Sequence, residues 1–231
     1  MMKQLSKFAL ITALAGFTLL SCKEKKSEDT PAETMSEETT SSTEETAPLM
    51  KQNVLNVNLA TEAELQEKGL APEVVAAILE KKPLMDMKEL DALLGDGVDK
   101  AALYQTLFIP MNLNTTPEAD FKMIPGVGDR MAHEFEEYRP YTSVAQFKRE
   151  IGKYVDEEEV ARYLNYVFVP VELNTASEED IKALPGVGDR MAHEFEEYRP
   201  YTSMEQFRRE IGKYVDDKEL ARLERLVYLK K

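Results

Sequence analysis

Residues 125–143 read PGVGDRMAHEFEEYRPYTS, and residues 185–203 repeat that string without a change sixty positions later. A repeat of this length means that one small unit is used more than once, so the chain folds as an array of copies, each with a small core. The match resumes over 149–156 and 209–216. A more diverged copy lies upstream, where Asn58, Gly69, Pro83 and Gly95 take the places of Asn114, Gly126, Pro140 and Gly152. Three units follow from this spacing: 53–110, 111–170 and 171–231.

Every unit reads as helices, and the expected fold class is all-α. In the third copy, Thr175 and Glu178 have the spacing of a capping box, in which hydroxyl and carboxylate satisfy unpaired amides reciprocally. Pro185-Gly186-Val187-Gly188 then breaks the chain direction. Met191, Phe195 and Tyr198 recur at helical spacing and turn one face to a core. Arg199-Pro200 stops that helix, because proline disfavours helical geometry in the residue before it. Ser203 with Gln206 opens the next helix, Gly212 ends it, and Leu220, Leu223 and Val227 mark a fourth. No segment shows strand alternation. Each unit therefore has four short helices.

Composition narrows the chemistry. The chain has 231 residues, a formal charge of −14, two His, one Cys and no Trp. Two His and one Cys exclude a multi-cysteine zinc site and a disulfide scaffold. The acidic excess excludes a broad electrostatic clamp on nucleic acid, since phosphate is repelled at long range and any contact must be local.

The N-terminus reads as an address. Lys3 and Lys7 precede an apolar run from Phe8 to Leu20, too short to span a bilayer about 30 Å thick. Leu19-Leu20-Ser21-Cys22 resembles the bacterial lipobox, which implies cleavage of a signal peptide at 1–21 and acylation of Cys22. The alternative is an ordinary signal peptide with an incidental cysteine. Residue 23 is Lys, and the resemblance to diderm sorting rules then favours the outer membrane; that rule does not read which side the protein faces, and the periplasm is the expectation. Residues 22–50 hold the lipidated Cys and an acidic Ser/Thr/Glu/Pro tract. Such a tract cannot bury enough apolar surface to order itself. It is expected to be a disordered spacer, with direct binding as the alternative.

Leu-Asn-Thr-Ala-Ser-Glu-Glu-Asp-Ile-Lys-Ala-Leu-Pro-Gly-Val-Gly, residues 173–188, resembles the ComEA-like competence DNA-binding proteins and the wider helix-hairpin-helix superfamily. That superfamily has a SAM-like fold and includes members that bind protein rather than DNA. The resemblance implies a turn that holds nucleic-acid phosphate without reading base sequence. The residues it assigns are Gly126, Val127, Gly128 and Arg130 in the second unit, and Gly186, Val187, Gly188 and Arg190 in the third. The chemistry is consistent: glycines admit left-handed dihedrals and close backbone approach, and a helix N-terminus offers unpaired amides to an anion. The alternative is a glycine turn that only packs two helices.

Four features oppose DNA. Asp129 and Asp189 stand next to the turns, where a carboxylate can cap the helix and occupy the anion site itself. Glu134, Glu136 and Glu137, with Glu194, Glu196 and Glu197, extend an acidic face. Gly69-Leu70-Ala71 lacks the second glycine, which leaves the first unit a structural role. The second turns, at Gly152-Lys153-Tyr154 and Gly212-Lys213-Tyr214, also lack the Gly-x-Gly form. His133 and His193 give one His per unit, fewer than a zinc-binding helix requires, and read as solvated; no metal and no other cofactor is expected. Tyr138, Tyr141, Tyr198 and Tyr201 read as packing residues, with base stacking as the alternative. With no nucleophile–base pair in view, the expected function is non-enzymatic. It is binding of double-stranded DNA at the cell envelope, as in DNA uptake, or an envelope scaffold that uses the same fold to bind protein.

Overall fold

A computed structural model describes residues 54–230. The expected signal peptide at 1–21, Cys22 and the tract 22–50 lie outside the described residues. Eighteen short elements follow in three sets of the same order. The first set is β1 (Leu55–Asn56), α1 (Glu62–Glu67), α2 (Pro72–Lys81), α3 (Met87–Leu94), α4 (Lys100–Leu103) and β2 (Leu107–Phe108). The second is β3 (Met111–Asn112), α5 (Glu118–Phe121), α6 (Asp129–Glu137), α7 (Val144–Ile151), α8 (Glu157–Tyr163) and β4 (Val167–Phe168). The third is β5 (Val171–Glu172), α9 (Glu178–Lys182), α10 (Asp189–Glu197), α11 (Met204–Ile211), α12 (Asp217–Glu224) and β6 (Val227–Tyr228).

The helical expectation holds for most of the described residues, with one addition. The described residues are mostly helical, but the ends of each set are tied by a parallel pair: β1 with β2, β3 with β4 and β5 with β6. Each strand has two residues, too short to show alternation, and its partner lies more than fifty residues away. Nothing local in the sequence reports such a pairing.

A second clasp recurs inside each set. The side-chain amide of Asn114 donates to Tyr141 O and its carbonyl accepts from Tyr141 N. Asn174 does the same with Tyr201, and Asn58 with Leu84. Both halves of a half-buried amide are thus satisfied, and the chain entry is fixed to the segment after the second helix. A cation reinforces each clasp. Arg199 Nε donates to Leu173 O at 2.6 Å and Nη2 to Ala176 O at 2.8 Å, and Arg139 bonds Leu113 O and Thr116 O in the same way. Lys82 reaches Ala60 O.

Helix faces then close the cores. In the second set, Phe121, Phe135 and Phe147 are fully buried, and Phe135 meets Phe121 and Tyr163 edge-on at 5.3 and 5.2 Å. The first and second sets share one continuous core, in which Phe108 packs edge-on against Tyr166 at 5.0 Å. The third set has its own core around Phe195 and Phe207. Among the described residues, no helix is long and apolar enough to cross a membrane.

Candidate nucleic-acid interface

The turns between α5 and α6 and between α9 and α10 are built alike. Gly126 and Gly186 have φ of 81° and 71°, a conformation that a side chain with Cβ adopts only at a cost. Val127 and Val187 are buried and pin each turn to its core. Gly128 and Gly188 have φ of −96° and −94° and serve as N-caps. They need no left-handed freedom, and a Cβ on either would meet nothing within 4 Å. Their value is the open space above the helix start.

That start is unclaimed by side chains. Of the twelve helices described, eight begin on a Ser, Thr or Asp whose side chain accepts an amide, and α6 and α10 are not among them. The first bond of α6 runs from Ala132 N to Gly128 O, so the amides of Asp129, Arg130 and Met131 precede it. The expectation that Asp129 and Asp189 cap these helices is therefore overturned. Asp129 Oδ1 instead accepts from Lys122 Nζ at 2.5 Å, and Lys182 Nζ lies 3.0 Å from Asp189 Oδ1 and 2.6 Å from Glu178 Oε1. The Lys122 ammonium holds the Asp129 carboxyl below the usual carboxylate range, and Lys122 is raised in return. Lys182 is raised by Glu178 first and by Asp189 second. Each lysine draws its aspartate away from the amides and neutralises it.

The acidic face is smaller than the sequence suggests. Glu194 is buried and Glu134 half-buried, both turned under the second turn of their set toward Tyr214 and Tyr154. Glu136 pairs with Arg139 and Glu196 with Arg199 at 3.4 and 3.1 Å. His133 and His193 are exposed, each beside Glu137 or Glu197 at 3.9 and 3.7 Å. No cluster of metal-ligating side chains occurs among the described residues.

Arg130 and Arg190 are exposed on the first turn of their helices. Each leans over a tyrosine of the second turn: Arg130 Cζ lies 5.7 Å from the Tyr154 ring centre, and Arg190 Cζ 6.0 Å from that of Tyr214. Those rings are fixed by hydroxyl contacts, Tyr138 to Tyr154 at 2.7 Å and Tyr198 to Tyr214 at 2.8 Å. Lys153 and Lys213 lie over the outer tyrosines and pair with Glu150 and Glu210. The glycine turn, its arginine and the Gly-Lys-Tyr turn thus form one surface in each copy. The sequence singled out the arginines but not their aromatic seats. Tyr141 and Tyr201 are buried packing residues, as expected.

The first set keeps only half of this apparatus. Gly69 has the same left-handed φ, 79°. Ala71 stands where the second glycine would be, and Pro72 follows at the first helical position, where it has no amide to offer. Gly95 has φ 66°, unlike its counterpart Gly152 at −60°.

No curated protein and no solved structure matches the chain. Residues 167–227 match the family described as the helix-hairpin-helix motif, a segment that takes in β4 through α12 and the Gly186–Gly188 turn with its uncapped helix.

Proposed function

We propose that this protein is a non-enzymatic, ComEA-like envelope lipoprotein that holds double-stranded DNA through backbone phosphate, without reading base sequence. In this reading, 53–110, 111–170 and 171–231 are tandem helix-hairpin-helix units, carried on the acylated Cys22 and the 22–50 spacer at the outer membrane, facing the periplasm. DNA uptake is the process that such a receptor would serve. The observation that carries the reading is the uncapped start of α10 behind a left-handed glycine, inside the segment that matches the helix-hairpin-helix motif. Amides aimed outward at a helix N-terminus suit a phosphate oxygen, and Arg130 or Arg190 adds a charged contact on the same face.

The full chain in detergent, titrated into labelled duplexes of unrelated sequence at low salt, is expected to bind them with similar affinity. Arg130→Glu with Arg190→Glu should weaken all of them together while helical content stays unchanged. A strong preference for one sequence, or no loss in the double variant, would contradict the reading. Metabolic labelling with a fatty-acid analogue tests the anchor, and equal labelling of wild type and Cys22→Ser would rule it out.

A second reading has an observation of its own. Leu59 packs directly on the Gly186 backbone, so such a turn can receive protein. An envelope scaffold that binds protein partners through these turns is the alternative, and it predicts no DNA binding at any salt.

A further inference from the structure

The chain has ten arginines, and eight of them are paired with a carboxylate or with backbone carbonyls. Arg130 and Arg190 are the exceptions. Among the described residues neither has an ion pair or a hydrogen bond, and each rests on a tyrosine ring. In a chain of net charge −14, an exposed guanidinium without a carboxylate needs a physical cause. Part of it is that the adjacent acids, Asp129 and Asp189, are held by Lys122 and Lys182.

The rest is a seat built by helical spacing. Arg130, Glu134 and Tyr138 stand four residues apart, so they follow one stripe of α6 and its C-cap. The turn after α7 lays Tyr154 on this stripe. The Tyr154 hydroxyl meets that of Tyr138 at 2.7 Å, Glu134 lies beside it, and its ring centre is 5.7 Å from Arg130 Cζ. Arg190, Glu194, Tyr198 and Tyr214 repeat the arrangement, with 2.8 Å between the hydroxyls and 6.0 Å from Arg190 Cζ to the ring centre. Both rings are half-buried. A ring bonded at its hydroxyl and packed beside a second ring has little freedom, so the cation over it is held in place.

The first set shows what goes with the seat. The positions of Arg130, Glu134, Tyr138 and Tyr154 are filled there by Glu73, Ala77, Lys81 and Gly97. That set still forms its four helices and its strand pair, so the stripe is not required to build a unit. The set that lacks the second glycine lacks every member of the seat as well.

We propose that Tyr154 and Tyr214 are positioning residues: each ring holds its arginine unpaired beside the glycine turn, so that the guanidinium meets phosphate already placed. The phosphate half rests on the DNA reading above; the seat itself does not. An arginine held in this way has less side-chain freedom left to lose on contact with the ligand.

The test uses the full chain and a labelled mixed-sequence duplex at low salt. Tyr154→Leu with Tyr214→Leu should lower affinity about fivefold with helical content unchanged, the loss of two cation–ring contacts and of the order they impose. Tyr154→Phe with Tyr214→Phe, which restores the rings, should recover most of that loss. In an Arg130→Gln, Arg190→Gln background the leucine pair should lower affinity no further, because a seat acts only through what it carries. No loss in the leucine pair, or the same loss with and without the arginines, would overturn the proposal. If the wild type binds no duplex, the DNA reading fails and the phosphate half with it, while the seat is judged by NMR of the free protein. The Cδ protons of Arg130 and Arg190 should resonate upfield of those of the exposed Arg149 and Arg209, under the ring current, and should lose that displacement in the leucine pair. Ordinary shifts in the wild type would overturn the seat.

Discussion

The Gly126–Gly128 and Gly186–Gly188 turns share every residue from 125 to 143 and from 185 to 203, and their internal geometry is closely similar, with φ of 81° and 71° at the first glycine and −96° and −94° at the second. Their surroundings are not. One opens on a cleft, and the other carries Leu59 and is braced by a buried Arg222. Local sequence therefore fixes the dihedrals, the buried valine and the uncapped helix start. What surrounds each turn is decided by residues outside the repeated string, Arg222 of the same set and Leu59 of the first.

The largest expected difference between the two turns lies in their arginines. Arg222→Ala removes a buried cation, leaves Glu219 without the partner it holds at 2.6 and 2.7 Å, and frees Pro185 O. It should cost about 3 kcal/mol in denaturant unfolding, as when one partner of a buried pair is lost. Arg162→Ala, at a more exposed pair with no bond to its turn, should cost about half as much. Equal costs would break the comparison.

The first glycines come next. Alanine at Gly126 or Gly186 must adopt a left-handed φ, which costs about 1–2 kcal/mol. Gly186→Ala also drives a methyl into Leu59 and should cost about 1 kcal/mol more, as overpacking does. Leu59→Ala should erase that excess in a double-mutant cycle and leave Gly126→Ala unchanged. An excess that persists without Leu59 would place its origin elsewhere.

A smaller effect sharpens the electrostatic side. Asp129→Asn removes a negative charge beside the open turn and releases Lys122 from its pair. DNA affinity should rise by a few fold, on the scale of a single screened charge, and Asp189→Asn, at an equally exposed position beside the other turn, should raise it by a similar factor. The smallest effect is in the titration of Asp129 itself. Lys122 holds its carboxyl below the ordinary value, so the pair persists as pH falls through the usual carboxylate range. Its contribution is complete above the unfolded value and is lost only as pH falls through the lower folded one. NMR of the Asp129 carboxyl carbon should show a depressed midpoint in wild type and a normal one in Lys122→Met.

Much of this was legible in the sequence because the signals are local. The helix breaks at the Pro-Gly-Val-Gly strings, the buried Phe135, Phe147, Phe195 and Phe207, and the Ser143 and Ser203 caps all sit where short-range pattern places them. Other caps slipped. Ser177 rather than Thr175 opens α9, and the Thr175 hydroxyl donates to Glu172 at 2.7 Å instead, because the chain is still leaving β5 at Thr175. The parallel pairs and the Leu59 contact were not legible, since each depends on partners fifty or more residues apart. The Asp129 pairing had one visible trace: a lysine seven residues upstream in both copies, Lys122 and Lys182. Nothing in periodicity says that a lysine reaches back across a turn, and a carboxylate at a helix start reads first as a cap.

Whether these turns hold phosphate at all is tested most directly by the salt dependence of duplex binding to the wild-type chain. On a log–log plot, each phosphate contact contributes a slope of about 0.9. The account predicts binding at low salt with a shallow slope, equivalent to a few contacts, and loss of that slope when Gly128→Val and Gly188→Val are combined. Absence of binding at the lowest salt, or a steep slope that the double variant leaves intact, would contradict it.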